Sequence, residues 1–202
     1  MKQKVYMYQK FERLWHWLQA LLIFFLALTG FEIHGSFSLF GYQNAAVWHT
    51  YAGIAEVILF AFGAFWFFTT RIWKAYVPTT KGLIDQMMFY AKGIFNHEPH
   101  PYKKTPEMKL NPLQRLTYLA FGFFMMPLMI ITGVIYVFVV DGTIVISPFW
   151  LSIIHTFGAF LIIAFVITHI YMTTTGHTIL ADTKAMITGY EELDDEEHHH
   201  HG

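Results

Sequence analysis

Four apolar runs leave this chain few ways to fold. Each approaches or exceeds the roughly 20 residues that cross a bilayer as a helix. They are Leu14–Phe31, extended backward around Phe11, then Ala45–Thr70, Leu116–Val140 and Phe149–Thr173. The pattern predicts helices over about 9–31, 45–70, 113–140 and 148–173. Pro127 lies inside the third and is expected to kink it. Composition agrees: 55% of the residues are hydrophobic and only 13% charged, against about a quarter charged in soluble domains. No cysteine occurs. That excludes disulfides, thiolate zinc sites, cysteine-ligated iron–sulfur clusters and c-type haem attachment. A cleavable signal peptide is not expected, because the first run is too long and no small-residue cleavage site follows it.

The basic residues orient the helices. Lys2, Lys4, Lys10 and Arg13 precede the first span. Eight more lie between the second and third, from Arg71 to Arg115, and Lys184 follows the fourth. The connections 32–44 and 141–148 hold none. By the positive-inside rule, both termini and the 71–112 loop are cytoplasmic. The expected fold class is all-α: an integral membrane four-helix bundle over residues 1–190, multi-pass in a bacterial cytoplasmic (inner) membrane. Within the loop, Gly82–Gly93 has helical spacing suited to lying along the interface. Residues 191–202 form an acidic tail ending in His198–His201, expected to be disordered or tag-derived. No internal repeat is visible.

Of the 12 histidines, His34, His97, His100 and His177 fall outside the spans and read as solvated loop residues. His16, His49, His155 and His169 fall within them, where polar side chains are expensive and usually functional. His16 and His169 lie near the cytoplasmic level, His49 and His155 near the outer one. His155 and His169 are 14 residues apart. That spacing returns to within about 40° of one helix face at a separation of about 21 Å. One helix thus offers two axial ligands, and the first two spans each offer a partner. Two bis-histidine b-haems fit, with His16 and His169 on the inner one and His49 and His155 on the outer one. Gly30 and Gly63 each lie 14 residues after a histidine, where a missing side chain lets a porphyrin approach the backbone. Ordinary small-residue helix packing explains them equally simply. A metal-transport site is the rival reading, but such sites usually add carboxylates or thiols at one level. Glu56, the one carboxylate deep in a span, lies two turns after His49 on the same face. It is a candidate for proton movement or haem tuning, or simply a neutral buried acid.

These histidines resemble those of the prokaryotic membrane cytochrome b subunits of respiratory formate dehydrogenases, nickel–iron hydrogenases and thiosulfate reductases. The resemblance covers roughly Tyr8 to Gly189. It implies two b-haems, with the first-helix histidine paired to the later one of the last helix. It also implies quinone, menaquinone or ubiquinone, as an exchangeable substrate near the cytoplasmic haem. In the formate dehydrogenase subunit an Asn-x-Gly-Gln-Lys stretch opens the third helix beside the quinone. Here Asn111-Pro112-Leu113-Gln114-Arg115 stands in its place, without the glycine. Asn111 and Gln114 are therefore candidate quinone contacts. The simpler reading is a helix start, with Asn111 as N-cap and Pro112 in the first turn. Arg13, Arg71 and Arg115 read as topology signals or as partners of haem propionates.

Nothing outside the spans is large enough for a substrate-oxidising domain. The expectation is an electron-transfer subunit held in membrane lipid. It would pass electrons between a periplasmic iron–sulfur or c-type cytochrome subunit, with its catalytic subunit, and the quinone pool. Nucleic acid is not an expected partner. The alternative is a stand-alone di-haem cytochrome that oxidises superoxide or another small donor. The lack of Lys or Arg in the outer connections argues mildly against drawing an anion there.

Overall fold

The structure is a computed structural model and describes residues 2–194 apart from 97, 103, 104, 106–108 and 177. His97, His177 and His198–His201 therefore lie outside the described residues. In chain order the elements are β1 (Lys2–Tyr6), α1 (Lys10–Ile33), α2 (Tyr42–Thr69), α3 (Leu83–Met88), α4 (Pro112–Ala120), α5 (Met126–Val140), α6 (Pro148–Thr173), α7 (Ala181–Thr188) and β2 (Tyr190–Asp194). Four stretches are long and apolar enough to cross a membrane: α1, α2, Pro112–Val140 and α6. This is the all-α membrane bundle expected from the apolar runs.

The chain divides into two compact units, one formed by Leu14–Lys74 and Thr117–Thr168, the other by Met1–Arg13, Ala75–Leu116 and His169–Gly202. The first is the helical body, and its polarity is inverted relative to a soluble protein. Phe62, Phe65 and Leu21 are 63%, 69% and 66% exposed, while Gln19, Thr29, Glu56 and Thr132 are 0–6% exposed. Such a surface is stable only in an apolar solvent, and the buried polar groups must find partners within the protein.

Local chemistry sets the helix ends. The Gln9 amide donates to Glu12 Oε2 at 2.6 Å, the acidic half of a capping box at the start of α1. At the other end of α1, Glu32 Oε1 accepts the amides of Leu39, Phe40 and Gly41, each at 2.7 Å. One buried carboxylate oxygen thereby ties the 34–41 connection to α1. Gly41, with φ 80°, turns the chain so that α2 begins at Tyr42, earlier than the apolar run suggests. In the third span, Phe121–Met125 forms a π-helical turn directly before Met126-Pro127. The wider turn stands where Pro127 cannot continue the α-helical ladder.

In the second unit, β1 pairs antiparallel with β2 from Lys2↔Asp194 to Tyr6↔Tyr190. The acidic stretch assigned to the tail from residue 191 thus enters a strand over its first four residues. Gly189, at φ 89°, ends α7, and its carbonyl accepts the amides of Met7 and Tyr8. The interface segment forms α3 followed by a π-helical turn at Phe89–Gly93.

Candidate functional site

Within the helical body, α2 and α6 bring two imidazoles together. The rings of His49 and His155 are 6.3 Å apart between centroids and inclined at 73°. Each Nδ1 meets a threonine. Thr29 Oγ1 of α1 lies 2.9 Å from His49 Nδ1, and Thr132 Oγ1 of α5 lies 2.8 Å from His155 Nδ1. Both hydroxyls already donate to helix carbonyls, Thr29 to Phe25 at 2.8 Å and Thr132 to Leu128 at 2.6 Å. A hydroxyl has a single proton, so each threonine can only accept from its histidine. With the hydroxyls donating to the carbonyls, Nδ1 carries the proton and Nε2 keeps a bare lone pair. That is the tautomer a metal requires, held by an outer hydrogen bond.

The spacing fits an iron between them. A metal-bound imidazole nitrogen lies about 2.0–2.1 Å from the metal and its ring centre roughly 1.1 Å further, so two imidazoles on one metal stand about 6.3 Å apart. Small residues keep the rings in place. A Cβ at Gly30 would meet His49 Cε1 at 3.5 Å, and one at Gly133 would meet His155 Cε1 at 3.4 Å. The two imidazoles are thus seated alike, each against a Thr-Gly pair of a neighbouring helix. Among the described residues no group of three or more His, Cys, Asp or Glu could hold a metal ion. The donor set suits the axial positions of a haem and not a bare metal ion.

Below this pair, Gln19 of α1 donates through Nε2 to Glu56 Oε1 of α2, and the same nitrogen stands 3.9 Å from Met126 Sδ of α5. Gly63 faces the Trp15 indole, which a Cβ there would overlap, and the indole Nε1 donates to the Leu59 carbonyl at 3.1 Å. His16 stands half-buried on α1 with its ring edge-on to Trp17 at 5.1 Å. His169 is half-buried on α6 and belongs to the other unit. His34 follows α1, and its Nε2 is 3.2 Å from Thr156 Oγ1.

The second unit holds Asn111 and Gln114. Gln114 N donates to Asn111 Oδ1 at 2.8 Å, and Asn111 N donates to Gln114 Oε1 at 3.0 Å. This is a complete reciprocal capping box at the start of α4. Asn111 is 3% exposed and also donates through Nδ2 to the Tyr90 hydroxyl at 3.2 Å. Nearby, Gln86 is buried beside His100, at 3.4 Å between their nitrogens. It lines a cavity of about 400 Å³ together with Thr79, Lys81, Tyr102 and Arg115. Arg13 is turned to the Ile187 carbonyl and Arg115 to the Leu110 carbonyl.

Thr29, Thr132, Gly133, Gln19 and Gln86 were not singled out by sequence reasoning. For the first three a signal was present: the dipeptide Thr-Gly occurs at Thr29-Gly30 and Thr132-Gly133, in two different spans. Gln19 and Gln86 carry no such mark.

Comparison with known proteins places this geometry in context. The family model described as prokaryotic cytochrome b561 matches residues 7–189. The chain is also similar to the Escherichia coli (strain K12) protein YdhU, named as a cytochrome. The two are 31% identical over 200 residues, covering 93% of this chain and 75% of that protein.

Proposed function

The chain belongs to the prokaryotic cytochrome b561 family and is a multi-pass membrane b-type cytochrome of electron transfer, and on that footing we propose that it is the membrane-anchor subunit of a respiratory oxidoreductase. In this reading it links a periplasmic iron–sulfur or multihaem partner to the quinone pool of the inner membrane. Two b-haems supply reversible one-electron carriage when bound. His49 and His155 hold one, and the paired rings with a threonine at each Nδ1 are the observation that carries the reading. His16 and His169 are assigned to the other by their depth in the sequence and the family resemblance. Gly30 keeps the backbone of α1 clear of the His49 ring.

The residues of the chain orient and insulate. Thr29 and Thr132 prevent Nε2 from being protonated in the neutral imidazole, so a ligand lone pair is always presented. The apolar outer faces exclude water from the helical body, which favours electron passage over side reactions. Asn111 and Gln114 stand at the start of α4, where the resemblance puts quinone.

A dithionite-reduced minus oxidised visible spectrum of the purified chain, with haem quantified per chain, tests this. Two b-haems per chain are expected, with an iron–sulfur or multihaem subunit copurifying from native membranes. Absence of haem overturns the haem reading. Two haems with no copurifying subunit, and direct reduction by superoxide, would establish the stand-alone cytochrome instead.

A further inference from the structure

Among the described residues of the helical body, two side chains already in contact each keep a buried acceptor without a donor. Gln19 and Glu56 are 5% and 4% exposed. Their contact uses Gln19 Nε2 and Glu56 Oε1. The partner atoms of the same two groups, Gln19 Oε1 and Glu56 Oε2, are buried with no hydrogen-bond partner. The Gln19 nitrogen also stands 3.9 Å from the Met126 thioether, which offers no proton. Rotating the amide does not help, because it would set the Gln19 oxygen against Glu56 Oε1 in place of the nitrogen. A buried acceptor left unmade costs about 1–3 kcal/mol, and a buried ionised carboxylate costs more. One proton shared between the carboxyl and the amide oxygen would satisfy both.

We propose that Glu56 and Gln19 form a proton-holding site in the membrane interior, in which Glu56 is a neutral acid whose Oε2–H donates to Gln19 Oε1 while the Gln19 amide donates back. The coupling to haem that follows rests on the proposed function. Glu56 lies seven residues from His49, and Gln19 three residues from His16, roughly 10 Å and 4.5 Å along their helices. The site thus lies on the route between the two ligand levels. Reduction of a haem iron, ferric to ferrous, takes one electron from the donor and adds negative charge near the acid. That charge favours the protonated form of Glu56 over the carboxylate. Where the oxidised protein holds Glu56 as a carboxylate and the reduced protein holds it as an acid, reduction brings one proton in all, an O–H bond of hydronium breaking as the carboxyl O–H bond forms. Few other groups act there. Between Leu14 and Phe31, α1 adds only His16. Glu32, 4% exposed, closes α1; the rest of α2 adds His49, Tyr42 and Tyr51, α6 carries His155, His169 and Tyr171, and α5 carries Tyr136.

Infrared spectra of the purified holoprotein, recorded as the reduced-minus-oxidised difference and as wild type minus Glu56→Gln, test the site. The expected result is a protonated-carboxyl C=O band that shifts in D2O and is absent from Glu56→Gln. In Gln19→Leu, which removes the amide partner and keeps the acid, the band moves. This second variant also serves if Glu56→Gln does not fold: an unmoved band there overturns the pair. Potentiometric titration should show haem potentials that fall with rising pH over one window. The limit is a tenfold shift in the equilibrium per pH unit, 59 mV for one electron, and the slope should flatten in Glu56→Gln. A haem-replete protein with no such band, a band that survives Glu56→Gln, or an unchanged pH slope overturns the proposal. A preparation without haem overturns instead the reading on which the coupling rests.

Discussion

In the helical body, Thr29 and Thr132 turn their acceptor lone pairs to His49 and His155. In the other unit, Asn111 and Gln114 turn theirs to each other's backbone amides. Both clusters are buried and polar, and both follow the rule that such groups must be paired. They differ in what pairing leaves over. The threonines complete one nitrogen of each imidazole and so define the other as a free ligand. The capping box closes on itself, each side-chain oxygen taking the other residue's backbone amide. A hydrogen-bonded polar cluster is the stronger candidate for a cofactor site when its bonds leave a ligand lone pair over.

This contrast can be broken outright. Replacing His49 or His155 with alanine should remove one of two haems, halving haem per chain in the visible spectrum. Asn111→Ala should leave both. Loss of haem from Asn111→Ala with retention in His49→Ala would reverse the assignment of the two clusters.

A smaller effect is expected from the threonines. Thr29→Val and Thr132→Val keep shape and remove the acceptor that fixes the tautomer. Outer hydrogen bonds of this kind are worth roughly 10–100-fold in metal affinity. Each variant should lose haem more readily during detergent washing, and its potential should rise as the ligand becomes less basic. Haem retention equal to wild type would reduce the threonines to helix packing.

The smallest effect concerns the cap. Asn111→Ala should destabilise the start of α4 by about 1 kcal/mol, and Asn111→Ser, a good N-cap, by much less. Rates of quinone-linked turnover separate the two roles of Asn111. Recovery in Asn111→Ser marks the residue as a cap, and failure to recover marks a direct contact.

The spans were legible because a bilayer imposes length and polarity on each helix independently of its neighbours. The predicted 9–31 and 148–173 correspond to Lys10–Ile33 and Pro148–Thr173. The start of α2 at Tyr42 was not legible, because it depends on Glu32 gathering three amides from the connection before it. The four candidate ligand histidines stood out as isolated polar residues at matched depths. Thr29 and Thr132 did not, since a helix threonine commonly satisfies its own hydroxyl on a carbonyl one turn back, and only the neighbouring helix shows what else it meets. The strand pairing of Tyr190–Asp194 with Lys2–Tyr6 was hidden for a similar reason. It joins the two ends of the chain, and nothing local in the acidic stretch announces it.

By itself the sequence determined that this chain lies in a membrane, how many times it crosses, and which histidines stand at which depth. Those properties follow from transfer of single side chains and from the rise of one helix. Only the tertiary structure decided which atoms of those side chains are left free. That depends on contacts between helices: threonine against histidine across two pairs of helices, and a glutamine against a glutamate that together lack one proton. Hydrogen bonds are directional and must close in space, so their outcome appears only when the helices are side by side.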